Sequence, residues 1–582
     1  MKRMNKLTVC LSIIALAGSL LAACSNNNNT TNSSASPSPS ASASSASPSE
    51  SPSASPSEDP NAPVDGGSLV IGTFSDIVAI NPIYIQDTSS GDVATFALAN
   101  LYDLDRSGKV AAEPWSLAAS LPEISADGLS YTVKLKPEAK WNDGTPVSAD
   151  DILFTYNTMK NPDAGSPAIS VTDKIDTITK VDDKTVTFKL KQVYAPFIYS
   201  LYTALAPYHI LKDVPVTELE KHPYGSDVAQ TVTNGPWKWT EWNKGQYLTF
   251  EADPNYWGSV KPHIQKITYK IYADQNTEVQ ALLTGDIDMT AAVPLPLLET
   301  VQGNSDIAVN LAPGPQYEYF AFNFKDENFP GNYSLFKGQK TRQAIAYALN
   351  RQGMVDNILK GTGTLMNSPF LATSWANPGD AATNYTYDPE KAKQLLAEDG
   401  WVAGKDGILE KDGHKFSFEL QYNSGNSRRE SVAAVIQQNL KDVGIEVKTT
   451  ALDFATWVDQ NLNPGVFEAA LGAWSLSNPD PDQESIFSSK YYPPAGQNNI
   501  WYKNEKIDQL WVDGYSTTDQ AQRTEIYKQI GAEISADLPY IFLYQYGTPQ
   551  AFNKKINYAE EDKPEASLAY GQFFHIINWW IK

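Results

Sequence analysis

Residues 25–65 are Asn, Ser, Ala and Pro almost throughout, and this tract decides where a folded core can begin. It has next to no apolar surface to bury. Ordering it would cost about 1–2 kcal/mol of backbone entropy per residue with nothing to offset the loss. Rich in Pro and poor in Gly, it reads as a semi-extended spacer that holds a folded body away from whatever carries its N-terminal end. Ahead of it, Lys2, Arg3 and Lys6 form a basic start to the apolar run Leu7–Leu21. That run is too short, and too closely followed by small residues, for a comfortable membrane span, and it reads as an export signal.

The run ends in Leu21-Ala22-Ala23-Cys24, which resembles a bacterial lipobox. The resemblance implies a signal peptide over 1–23, cleavage before Cys24, and lipid attachment (palmitate) at the Cys24 sulfur, with 24–66 as a lipidated, disordered tether. The protein would then sit on the outer face of the cytoplasmic membrane, as in a Gram-positive cell.

The remaining residues, 67–582, are too many for one core and enough for two or three domains. Aromatic residues make up 11% of the chain, which suits a well-packed globular body. Cys10 and Cys24 are the only cysteines. One leaves with the signal and the other carries lipid, so no disulfide or thiol chemistry is expected. The net charge of −22 would repel nucleic acid. The five His, at 209, 222, 263, 414 and 575, have no ligand spacing, so neither a metal site nor a cofactor is expected.

Strand and helix periods both occur. Ser68–Gly72 opens as an apolar strand, and Tyr131–Lys136 and Thr185–Leu190 alternate as half-buried antiparallel strands. Between them Ser148 can cap a helix whose first turn carries Asp150 and Asp151. Thr341–Lys360 reads as one amphipathic helix, and Glu430–Val443 as another that stops at Gly444 before a strand. The first half is thus mixed and the second α/β.

Trp141-Asn-Asp-Gly-Thr-Pro-Val-Ser-Ala-Asp-Asp-Ile-Leu-Phe154 resembles the signature of the bacterial extracellular solute-binding proteins of family 5, the oligopeptide and dipeptide binders of ABC importers. Further elements stand in the family's order: Asn234-Gly-Pro-Trp-Lys-Trp-Thr240, Ala252-Asp-Pro-Asn-Tyr-Trp257, Ala281–Asp288, Arg342–Ala348 and Trp474-Ser-Leu. The likeness covers 67–582. Locally these segments read as turns clamped by rings, scaffold more than site. The resemblance implies an α/β, periplasmic-binding-protein-like type II (cluster C) fold with two hinged lobes and an extra inserted domain. Lobe I would be 67–105, 231–312 and 541–582, with domain II inserted at 106–230, and lobe II (domain III) would be 313–540. Ligand would be enclosed as the lobes close.

The ligand region is placed at Leu471–Asp482, where an apolar strand runs into Trp474 and a loop with Pro479 and Pro481. In the family this strand offers main-chain groups to an extended peptide, a form of strand addition. Trp474, Ser475, Leu476 and Ser477 are therefore ligand candidates, although Trp474 could equally be a core residue at a strand end. Family peptide binders carry an Asp three residues after this Trp, for the peptide ammonium; here that position is Ser477. Asp480 could substitute, or the ammonium stays in water, or the ligand is no ordinary peptide. Asp87 and Thr88 sit where the first lobe would face the cleft, or in a solvated loop. Tyr317 and Tyr319, with Asn323, open the second lobe's first strand, and period two puts both Tyr on one face, cleft or core. The crevice itself is expected to be uncharged, walled by rings and main-chain groups.

A cell-surface hydrolase is disfavoured. Ser334-Leu-Phe-Lys337 matches Ser-x-x-Lys, but its companion motifs are absent. No catalytic residues are expected. Oligosaccharide is the closer rival ligand, suited by the many Trp and Tyr, while nickel is disfavoured by sparse His. The expected partners are a peptide and membrane permease subunits, with the protein itself a monomer.

Overall fold

The computed structural model describes residues 62–312, 314–476, 479–565 and 571–582. The expected export signal, Cys24, most of the tether and Ser477 lie outside the described residues.

Among the described residues the largest sheet has seven strands, in the order Ile307–Asn310, Gln550–Asn553, Met289–Thr290, Ser68–Thr73, Lys266–Ile271, Tyr247–Ala252 and Trp237–Asn243. Ser68–Thr73 is flanked on both sides by parallel partners, which accounts for its nearly unbroken apolar character. A second sheet of six strands runs Thr364–Leu365, Tyr540–Tyr546, Gln316–Phe322, Ala469–Ser475, Ser417–Asn423 and Glu446–Leu452. Both its faces are covered. Phe320 and Phe322 face one core, while Tyr317, Tyr319 and Ala321 face another, as the two-residue period of a strand requires.

A four-stranded sheet carries the alternating segments, with Ser130–Lys134 antiparallel to Thr185–Leu190 and Tyr131 opposite Phe188, Val133 opposite Val186. Burying each such side chain stabilises by about 1.5–3 kcal/mol. Ser148 caps Ala149–Met159 in a capping box with Asp151. The core beneath this sheet continues without a break into Leu69, Ile71 and Phe96, and into Phe573, Ile576 and Trp579 of the C-terminal run. Residues 106–230 are thus packed onto the first sheet by shared apolar surface.

Two expectations shift. Tyr540–Tyr546 pairs with Gln316–Phe322 in the second sheet, so the segment 541–546 does not belong with lobe I. All seven residues of Tyr540–Tyr546 are buried, which suits the middle of a covered sheet. The chain rejoins the first sheet only at Gln550–Asn553. And 341–360 forms two helices, Gln339–Ala348 and Arg351–Asn357, broken where the Asn350 side chain accepts the Gly353 N–H at 2.8 Å and starts the second.

Among the described residues the chain thus passes between the large sheets twice, next to Ala312 and Gly314 and again around 547–549, and the two crossings lie against each other. A Cβ on Gly547 would sit 1.9 Å from the Ala312 carbonyl oxygen, so only glycine fits this close approach.

Candidate functional site

A cavity of about 450 Å³ lies between the two large sheets. Its first wall is the end of Ser68–Thr73, the start of helix Thr88–Ala97, Tyr269 and Glu278. Its second wall is Gln316, Tyr319, the strand end Ala473–Ser475, and the start of helix Ser427–Lys441.

Among the described residues the second wall has an open ladder edge. Ala469–Ser475 pairs along its whole length with Gln316–Phe322, but with Ser417–Asn423 only at Ala469 and Ala470. Asn323 N–H donates to the Glu468 carbonyl and Leu476 N–H to the Pro315 carbonyl, so even-numbered residues here bond toward Gln316–Phe322. Antiparallel alternation then turns the N–H and C=O of Ala473 and Ser475 the other way, at a place where both residues line the cavity. Trp474 stacks on Tyr319 with ring centroids 6.2 Å apart, and Tyr319 on Tyr540 at 4.4 Å, a ring column that stiffens this wall. The Tyr319 ring lies over Gly472, where a side chain would collide with it.

The crevice is not uncharged. Glu318, fully buried, accepts from Arg428 Nη2 at 2.7 Å and from Arg429 Nε at 2.5 Å, and the Arg428 guanidinium lies 3.8 Å from the Tyr546 ring centre. Burial works against both guanidinium charges, and Glu318 holds them ionised. Two cations share one carboxylate, and both line the cavity. Sequence reasoning passed over this group. Its signals were a glutamate inside an aromatic strand and two arginines in the first turn of a helix, where the dipole disfavours them.

The predicted residues fall in several places. Trp474, Ser475, Leu476, Tyr319, Asp87, Thr88 and Asp480 line the cavity. Asp87 caps Thr88–Ala97 by accepting the Ser90 N–H at 2.8 Å, and burial pushes its carboxyl up; Thr88 is exposed on the first turn. Asp480 does not stand open to an ammonium, because Arg523 engages both its oxygens, at 2.8 and 2.9 Å. A bidentate buried pair already satisfies that carboxylate. Tyr317 faces the core: its hydroxyl donates to Gln483 at 3.0 Å, and the loop bearing Gln483 covers the ring. Asn323 is also structural, donating to the Gly465 carbonyl at 3.1 Å and accepting Lys325 N–H. Ser334 is buried and donates to the Asn323 carbonyl, whereas Lys337 pairs at the surface with Asp326, so Ser-x-x-Lys here is no catalytic couple.

The signature turn is scaffold. Asn142 and Thr233 exchange main-chain and side-chain hydrogen bonds, and Trp257 Nε1 donates to the Asn234 carbonyl at 2.8 Å. None of these residues lines the cavity.

Across the cavity's edge, segment 106–230 meets the second-sheet half. Lys174, buried, donates to Glu484 at 2.7 Å and to the Tyr491 hydroxyl at 2.8 Å, inside a cage of Tyr194, Tyr491 and Tyr515. Tyr194 donates to Asp482 at 2.7 Å. Burial pushes Glu484 up to about 7 against the pull of Lys174. Sequence reasoning could not foresee a contact between residues so far apart in the chain.

The model of the bacterial extracellular solute-binding proteins, family 5 Middle, matches residues 112–493. The chain is 33% identical to the oligopeptide-binding protein AppA of Bacillus subtilis over the full length of both. It is 27% identical to the glutathione-binding protein GsiB of Pectobacterium atrosepticum, over 84% of this chain and 90% of that one. Among solved structures, AppA from Bacillus subtilis in complex with a nonapeptide superposes with a TM-score of 0.82 at 34% identity, over 90% of this chain and 100% of that one. NikZ from Campylobacter jejuni in complex with Ni(L-His) gives 0.76 at 25% identity, over 88% and 99%. The chain therefore belongs to the bacterial extracellular solute-binding proteins of family 5, and its two lobes have that family's type II fold.

Proposed function

We propose that this protein captures an extended oligopeptide between its two lobes and hands it, chemically unchanged, to a membrane permease of an ABC importer. The observation that carries the reading is the outward edge of Ala473 and Ser475, main-chain donors and acceptors turned into a cavity between lobes. Such an edge binds a peptide backbone whatever its side chains. The likeness to AppA, solved with a nonapeptide, supports the same class of ligand. The cavity volume stands toward the lower end of the roughly 300–1,000 Å³ usual for ligand sites, so longer peptides require the lobes to part further.

Contacts to both lobes favour the closed form by differential affinity. The Leu21–Cys24 sequence supports lipid attachment at Cys24; in this reading the protein sits on the outer face of a Gram-positive cytoplasmic membrane and acts as a monomer. Among the described residues no helix is long and apolar enough to cross a membrane.

Calorimetry with peptides of graded length, run beside oligosaccharides, tests the reading. Peptides should release heat and saturate one site. Saturation by oligosaccharides alone, or conversion of any added solute into product, would overturn it.

A further inference from the structure

Segment 106–230 is joined to the two halves of the molecule by different chemistry. Toward the first sheet the joint is a continuous apolar core, and among the described residues Tyr515 is the one buried side chain of 316–540 that enters it. Toward the second-sheet half the joint is polar. Lys174 Nζ, 6% exposed, donates to Glu484 and stands among the rings of Tyr491 and Tyr515 from that half. The Tyr491 hydroxyl donates to Asp173 at 2.8 Å, and Gln192 Nε2 donates to Ser516 Oγ at 3.2 Å. An apolar joint keeps two parts together, whereas ion pairs and hydrogen bonds regain water on both sides when the parts separate. The same contact reaches the ligand site. Pro481, Asp482, Gln483, Ser485 and Ile486 line the cavity, and within this run Asp482 accepts the Tyr194 hydroxyl while Glu484 takes Lys174. The run 481–486 therefore touches both the cavity and segment 106–230.

We propose that Lys174 and Tyr194 are positioning residues for the ligand: they clasp the run 481–486, hold it against a bound peptide, and so set how slowly that peptide leaves. Segment 106–230 thereby has a task of its own, moving with the first sheet and gripping the second half when the lobes close. This rests on the peptide reading above and deepens it. Neither Lys174 nor Tyr194 lines the cavity, so the grip acts on every peptide alike, in keeping with a main-chain edge that is indifferent to side chains. The clasp exists in the closed form and is undone when the halves part. Its loss therefore raises the dissociation rate and leaves association, which begins from open lobes, no slower.

The test is stopped-flow binding of an alanine-based nonapeptide to the whole chain, with association and dissociation rates measured separately. Tyr194→Phe removes only the hydroxyl that Asp482 accepts and leaves a ring to pack on Tyr515, whose centroid lies 5.1 Å away. It should speed dissociation about threefold, and Lys174→Met about tenfold. Adding Glu484→Gln to Lys174→Met removes the orphaned buried charge. This double variant should regain much of the lost thermal stability yet still release the peptide about tenfold faster than the wild type. A merely structural role predicts the reverse, with dissociation returning to the wild-type rate as stability returns. Wild-type dissociation in either Tyr194→Phe or the double variant overturns this inference alone. Failure of this nonapeptide, and of peptides of every other length, to bind the wild type overturns the peptide reading and this inference with it.

Discussion

The two walls of the cavity solve the problem of buried charge in opposite ways. On the second wall Glu318 meets Arg428 and Arg429, and every charge has a partner from the same chain. On the first, Asp92 and Glu278 are as deeply buried but have only neutral donors and one unsatisfied oxygen each. A charge satisfied internally stabilises the lobe that holds it; a buried carboxyl without a charged partner is pushed toward its protonated form. The second wall is thus an ion-paired structure with a ladder edge on offer, and the first is lined by two carboxyls with no charged partner among the described residues.

The largest expected effect breaks the finished wall. Glu318→Gln leaves a buried and a half-buried guanidinium without their carboxylate, and denaturant unfolding should show a loss of about 3–5 kcal/mol. The pairing across the cavity's edge comes next. Lys174→Met orphans Glu484, 2% exposed, and should destabilise by about 3 kcal/mol. The same change should also expand the ligand-free protein in solution scattering. A profile identical to the wild type would mean that this contact does not hold the halves together.

The first wall predicts a pH dependence. Burial pushes Glu278 up to about 8 from 4.5. The folded state therefore holds a proton that the unfolded state has lost between those values. Stability should fall as pH rises through this window, at no more than about 1.4 kcal/mol per pH unit. Glu278→Gln should flatten that part of the curve, and a slope unchanged in the variant would assign the effect to another group.

The smallest effect sharpens the strand edge. Ser475→Pro removes an N–H that does not bond within the sheet, so folding should survive while peptide affinity drops about tenfold in calorimetry.

What the sequence could reveal follows the range of the forces involved. The Ser148 cap, the strands about Tyr131 and Phe188 and the stop at Gly444 depend on neighbours a few residues away, and each is visible in local pattern. Trp474 and Ser475 came from the family likeness, which locates a strand but not which of its main-chain groups point outward. The place of Tyr540–Tyr546 was missed because an apolar run fits the middle of either sheet equally well. The pairing of Glu318 with Arg428 and of Lys174 with Glu484 joins positions far apart in the chain, where no periodicity reaches. The pairing of Asp480 with Arg523, which lies on a later helix, is out of reach of local pattern for the same reason.

The central claim is that peptide main chain docks on the outward edge of Ala473 and Ser475. Hydrogen–deuterium exchange of the segment 471–476, with and without a saturating nonapeptide, measures it directly. Slower exchange in that segment on binding is the predicted result. Unchanged exchange there, while calorimetry shows the same peptide bound, would contradict it.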